Sequence, residues 1–241
     1  MGVPETVELL VGGGATKYYL ASPAARRGPG VVVLHEQWGL VGFVKETCDK
    51  LSHENFFAIA PDLYHTSASY DPKVADALMK GLKASTVEQD VQAAVRYLAD
   101  RPGCRARKIG LVGFGIGAQL ALHLASVRDD VGACVAFYPY LAQVQPDLAA
   151  LKAPVLAFFG GQDEVVSAAT AEQVAAALKA SSQHSAVQVY ASAKHAFFNQ
   201  YRKEAFDVRA AADAWARTVS FLRQHLGGRR VGGWLRKLTA H

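Results

Sequence analysis

Between residues 108 and 127 the chain runs from an apolar stretch through alternating glycines into an apolar helix, an order that leaves few folds open. Residues 108–112 (Lys-Ile-Gly-Leu-Val) read as a strand, Gly113-Phe114-Gly115-Ile116-Gly117 as a sharp turn, and residues 118–127 as a helix. A continuous apolar strand belongs to a sheet covered on both faces. A strand that turns at once into a helix opens a right-handed crossover. The same grammar recurs: strands are expected at 30–35, 56–60, 131–137, 154–159 and 186–191, and helices at 44–53, 71–82, 86–98, 168–180 and 203–226. Thr86 is the expected cap of the helix over 86–98. Residues 7–11 and 17–21 flank Gly12-Gly13-Gly14 and read as an N-terminal hairpin. The expected fold class is α/β, a mainly parallel central sheet with helices on both faces.

Composition supports one domain over residues 1–226, since 51% hydrophobic and 20% charged residues in a chain of 241 suffice for such a sheet. The net charge is +5, and Arg229, Arg230, Arg236 and Lys237 in the tail 227–241 supply four of these charges with no acid beside them. That leaves +1 for the body. No basic face interleaved with aromatic residues is present, so no nucleic-acid partner is expected. The tail reads as a solubilising end. Cys48, Cys104 and Cys134, read on a helix, in a loop and in a strand, lack metal spacing and are odd in number. Neither a zinc site nor a disulfide framework is expected, and a reducing cytoplasmic setting is. No apolar run reaches membrane-spanning length.

The turn at 113–117 fits two chemistries. Gly-x-Gly-x-Gly between strand and helix is compatible with a dinucleotide-binding turn, whose amides meet an anion. It equally fits the nucleophile elbow of an α/β hydrolase, whose third residue is Ser, Cys or Asp. Here that third residue is Gly115, which has no atom with which to attack. The later loops favour the hydrolase. Asp163 follows the strand at 154–159 and His195 the strand at 186–191, at the edge where open α/β sheets hold ligands. Elbow, acid, histidine is the triad order of that fold, in which the acid holds the imidazole tautomer and Nε2 takes a proton. Taken singly, a loop aspartate is a turn former and a loop histidine a surface polar group.

The chain resembles the dienelactone hydrolase (carboxymethylenebutenolidase) family from about Val7 to Leu226. The resemblance rests on His35-Glu36-Gln37-Trp38-Gly39-Leu40, Ala60-Pro61-Asp62-Leu63-Tyr64, the elbow, Gly161-Gln162-Asp163 and His195-Ala196-Phe197-Phe198-Asn199. It implies an α/β-hydrolase fold, a small-molecule ester or lactone as partner, and no cofactor or metal. It also implies catalytic roles for Asp163 and His195, with Glu36 contacting the resting nucleophile. Backbone N–H groups of Gln37 and Ile116 would then form an oxyanion hole. Members carry cysteine where this chain has Gly115, and members acting on dienelactone carry an arginine where it has Asn199. Trp38, Tyr64, Phe114, Tyr138, Tyr140, Phe197 and Phe198 lie in or beside these motifs, and Trp38, Tyr64, Phe114, Tyr138, Phe197 and Asn199 are the expected pocket lining.

Three readings follow. Water replaces the missing nucleophile in a weak or specialised hydrolase; or the site binds its ligand, or does acid/base chemistry, without hydrolysis; or Gly115 is a substituted position in an ordinary cysteine hydrolase. A monomer or homodimer is expected.

Overall fold

The computed structural model describes residues 4–66, 68–141, 146–180 and 184–227. The tail beyond residue 227 lies outside them, so the readings of its charge concern no part of the fold below. The elements in chain order are β1 (Glu5–Val11), β2 (Gly14–Ala21), β3 (Gly28–Leu34), α1 (Gly42–His53), β4 (Phe57–Pro61), α2 (Pro72–Gly81), α3 (Ala84–Ala99), β5 (Cys104–Phe114), α4 (Ile116–Val127), β6 (Val131–Phe137), β7 (Val155–Gly160), α5 (Ala168–Ala180), β8 (Ala186–Tyr190) and α6 (Val208–Leu226).

They form an eight-stranded sheet ordered β1-β2-β4-β3-β5-β6-β7-β8. β1 and β2 make an antiparallel hairpin whose turn residues Gly12 and Gly13 have φ of 60° and 89°, a conformation glycine adopts without cost. β2 also pairs antiparallel with β4, and from β4 to β8 every pairing is parallel. Alternate residues of one strand feed two cores, because side chains along a strand point to opposite faces. In β3, Val32 and Leu34 pack with α3 and α4 and the apolar face of α5, whereas Val31 and Val33 pack with α1 and α6. The strand runs therefore read as continuously apolar.

Several boundaries differ from expectation, each for a local reason. α3 begins at Ala84 with Lys83 at its cap, and Thr86 lies one turn inside, its N–H donating to Lys83 O at 3.1 Å. Cys104 opens β5 instead of lying in a loop, since Gly28 and Pro29 of β3 extend the pairing to Cys104 and Arg105. The last helix starts at Val208, not at residue 203. There Asp207 accepts from the N–H groups of Arg209 and Ala210, both at 3.0 Å, shortly after a run of turns over 203–205. Aspartate is a strong N-cap because it satisfies amides that have no helical partner. Asp207→Ala is expected to cost about 1 kcal/mol, lowering the melting temperature by about 2–4 °C. Calorimetry showing no shift would contradict the assignment.

The strand order reverses at β3, between β4 and β5, and the ligand edge of an open α/β sheet lies at such a switch point. The loops after β3, β4, β5, β6, β7 and β8 all leave that edge.

Candidate functional site

The turn from β5 into α4 is held by close backbone approach. A Cβ on Gly113 would lie 2.2 Å from Gly117 O, and one on Gly117 would lie 2.4 Å from both Leu34 O and His35 O. Neither position has room for a side chain. Gly115 between them is different: its φ is 54° and ψ −115°, but an added Cβ would meet nothing nearer than Glu36 Cβ at 3.7 Å. Its N–H donates to Phe137 O at 3.0 Å, tying the turn to the end of β6, and its carbonyl accepts from Ala118 and Gln119 at the start of α4.

Asp163 and His195 are brought together by the loops after β7 and β8. Gly161 N–H donates to Tyr190 O at 2.8 Å and Gln162 N–H to Ala193 O at 2.9 Å. Glycine is needed here too, since a Cβ on Gly160 would approach Ala193 O to 2.5 Å. Asp163 Oδ1 accepts from the N–H groups of Val165 and Val166, both at 2.8 Å, so the carboxylate cannot rotate away. Its Oδ2 accepts from His195 Nδ1 at 2.9 Å. The aspartate side chain is 1% exposed and the histidine 22%, so a buried acid orients an imidazole that still reaches the surface. With Nδ1 as donor, the lone pair of the neutral ring is on Nε2.

Glu36 leaves β3 beside the turn and is buried. Burial pushes its carboxyl up to about 7, against the hydrogen bond donated by Asn199 Nδ2 and the charges of His195 and Arg202, which hold it down. The orientation of the Asn199 amide follows from its other end, where Oδ1 accepts from Tyr201 N–H at 2.9 Å. His35, fully buried, is a strut for this loop. Its Nδ1 donates to Glu36 O at 2.7 Å and its Nε2 accepts from Leu63 N–H at 3.1 Å. Burial depresses its pKa to about 4, so the ring is neutral. Tyr64 donates to Gln37 O at 2.8 Å, binding the loops after β3 and β4 to each other.

The folded chain thus keeps Glu36 protonated to higher pH than the ordinary value of 4.5. A carboxyl raised in this way stabilises the fold most at low pH, and the contribution falls away as pH rises from about 4.5 through 7. Glu36→Gln stays neutral throughout. Its stability relative to the natural chain is expected to grow by about 3 kcal/mol between pH 4.5 and pH 8, read from urea midpoints. His35, which acts in the opposite sense as pH falls from 6.5 to about 4, is common to both proteins and drops out of the difference. A constant difference across that range would refute the assignment.

The aromatic residues divide. Phe114 and Phe197 have no exposed surface and belong to the core on the α1 and α6 face, where Phe114 stacks on Phe137 and Phe198 and meets Phe43 edge-on. Tyr138 is buried in the same cluster and carries a hydroxyl that neither phenylalanine has. Trp38 is partly exposed, stacks on Tyr70 with centroids 6.4 Å apart and carries the Arg202 guanidinium 5.9 Å from its ring centre. That cluster was not legible in the sequence, because its members come from three separate loops. Tyr138 and Tyr140 set their rings against His195 at 5.0 and 6.0 Å. Among the described residues no group of three or more His, Cys, Asp or Glu is arranged to hold a metal, and no helix is long and apolar enough to cross a membrane.

The sheet order, the switch-point loops and the Asp163–His195 pair define an α/β-hydrolase fold. It superposes with a TM-score of 0.84 on a structure described as "Putative Dienelactone Hydrolase" from Klebsiella pneumoniae, 26% identical and covering 92% of this chain and 98% of that one. A dienelactone hydrolase-like promiscuous phosphotriesterase from metagenomic libraries also has a TM-score of 0.84, at 23% identity and 93% and 99% coverage, a likeness of fold. The dienelactone hydrolase family profile matches residues 16–226, and the chain belongs to that family. It is 31% identical over 229 residues to "Protein usf" of Aquifex pyrophilus, covering 92% of this chain and 99% of the relative. It is equally 31% identical over 231 residues to a protein of Aquifex aeolicus named "Putative carboxymethylenebutenolidase", with the same coverage.

Proposed function

We propose that this protein acts on a small ester or lactone at the Gly115–His195–Asp163–Glu36 site, with Gly115 standing at the nucleophile position and water taking the missing side chain's part. The observation that carries the reading is the His195–Asp163 hydrogen bond at 2.9 Å, a base kept oriented beside a turn that has no reacting atom of its own. His195 Nε2 removes a proton from water as its oxygen bonds to the substrate carbonyl carbon, and Asp163 stabilises the imidazolium. The N–H groups of Gln37 and Ile116 receive the carbonyl oxygen as it gains charge. Among the described residues neither N–H has a hydrogen-bond partner, and that of Ile116 lies at the positive end of α4. The tetrahedral intermediate then expels the alkoxide, which takes the proton back from His195, leaving a carboxylic acid and an alcohol.

Covalent acyl transfer through residue 115 is impossible without a side chain, so turnover is expected to be slow. An oxyanion hole and binding alone retain about 10³-fold to 10⁴-fold over water when a triad is disabled. The same missing atom favours a second reading, a protein that binds the ester or lactone, or works on it by acid/base chemistry, without hydrolysing it. Hydrolysis of 4-nitrophenyl acetate by the Gly115 protein and by its His195→Ala variant separates them. A fall of about 100-fold or more in kcat/KM supports the water mechanism. Equal rates in the two proteins assign the turnover to the solvent and leave the binding reading.

A further inference from the structure

Tyr138 combines two unfavourable features. Its backbone, immediately after β6, has φ 42°, a region that bulky L residues seldom enter. Its side chain is fully buried, and among the described residues its phenolic oxygen has no hydrogen-bond partner. Buried hydroxyls are nearly always paired, and strain of this kind collects at ligand sites, where the surrounding structure holds it in place. Here the holding contacts are visible. Tyr138 N–H donates to Phe158 O at 2.7 Å, and Phe137 O one residue earlier accepts from Gly115 N–H. The ring packs edge-on against His195 at 5.0 Å and against Phe197 at 5.8 Å. An unpaired donor is therefore carried by a ring that packs against the imidazole, on the residue next to the one whose carbonyl holds Gly115.

Burial, and after it the charges of Glu36 and Asp163, push the phenol proton's affinity well up, so the group stays neutral and acts as a donor. The carbonyl oxygen of an ester already has the Gln37 and Ile116 amides. The second ester oxygen, which leaves as the alkoxide, gains charge before the His195 proton reaches it, and a donor on the imidazole side would stabilise that charge. We propose that the Tyr138 hydroxyl donates a hydrogen bond to the alkoxy oxygen of the bound ester or lactone. This rests on the ester or lactone reading of the site above, and turns a residue expected only as an apolar wall into a polar contact with the leaving group.

Tyr138→Phe keeps the ring and removes the donor, so the fold should be kept, with a melting temperature unchanged or higher. A donor to the leaving oxygen matters most where that oxygen gains most charge. The expected result is a loss of about tenfold in kcat/KM on phenyl acetate and less than about threefold on 4-nitrophenyl acetate, whose leaving group is already stable. The comparison is made in the natural chain and in Gly115→Cys. Failure of turnover in the natural chain alone defeats the water mechanism and leaves the Tyr138 comparison readable in the cysteine protein. Should neither turn over, phenyl acetate is itself a stable ligand, and its Kd by NMR titration should weaken about fivefold in Tyr138→Phe. Equal losses on the two esters, or no loss, or an unchanged Kd where turnover is absent, overturn the proposal.

Discussion

Gly115→Cys is expected to raise hydrolysis of 4-nitrophenyl acetate by about 10³-fold or more over the Gly115 protein, and adding His195→Ala should remove the gain. The space is present, since a Cβ at residue 115 meets only Glu36 Cβ at 3.7 Å. The backbone is already in place at φ 54° and ψ −115°, a geometry glycine holds freely but a cysteine would hold at a cost of about 1–3 kcal/mol. A thiol there would sit at the N-terminus of α4, where the helix dipole favours the thiolate. The activated sulfur would attack the carbonyl and form an acyl-enzyme that water then hydrolyses. Cys48, Cys104 and Cys134 cannot serve in its place, because burial raises the proton affinity of each thiol. A Gly115→Cys protein that folds, yet hydrolyses no faster than the natural chain, would show that the missing atom is not what limits this site.

Gly117→Ala should damage the fold and the site together, and so should Gly113→Ala. The added carbon would overlap the carbonyl oxygens of Leu34 and His35, which are backbone atoms of a central strand and its exit loop and have no rotamer by which to yield. To relieve the overlap, α4 must lift from the sheet and open the packing of Ala118, Leu120 and Ala121. The expected cost is about 3 kcal/mol or more, together with loss of any activity, because Gly115 and the Ile116 amide would move with the helix. Urea unfolding with a midpoint within error of the natural chain would refute the close-packing account. Gly115→Ala is the matching control: it meets no backbone and should cost only the strain of its φ.

These two results concern neighbouring glycines that look alike in sequence. Gly113 and Gly117 exclude a side chain by contact, whereas Gly115 merely lacks one, and no property of the letters separates them.

Much of the fold was legible because the signals are local. Strand runs that alternate between two cores are apolar at every position, and the repeating helix spacings between them imply a parallel sheet, which the pairing of β4 through β8 bears out. The Gly-Phe-Gly-Ile-Gly turn and the order of Asp163 and His195 were likewise visible, since each sits directly after a strand. The starts of α3 and α6 were not: Thr86, a capping residue type, lies inside α3 behind Lys83, whereas Asp207, another capping type, does cap α6, and residue type alone does not tell the two cases apart. The packing of the aromatic residues was not legible either: Phe114 and Phe197, expected in the pocket lining, are buried in the core cluster with α1 and α6, which strand-end position alone does not tell. The pairing of Asn199 with Glu36 spans loops that are adjacent only after the sheet is built. The sequence by itself determined the elements, their parallel arrangement and the family. The tertiary structure alone decided which glycine has room, which carboxyl keeps its proton and which phenol is left without a partner, because space, burial and unpaired hydrogen bonds exist only where distant segments meet.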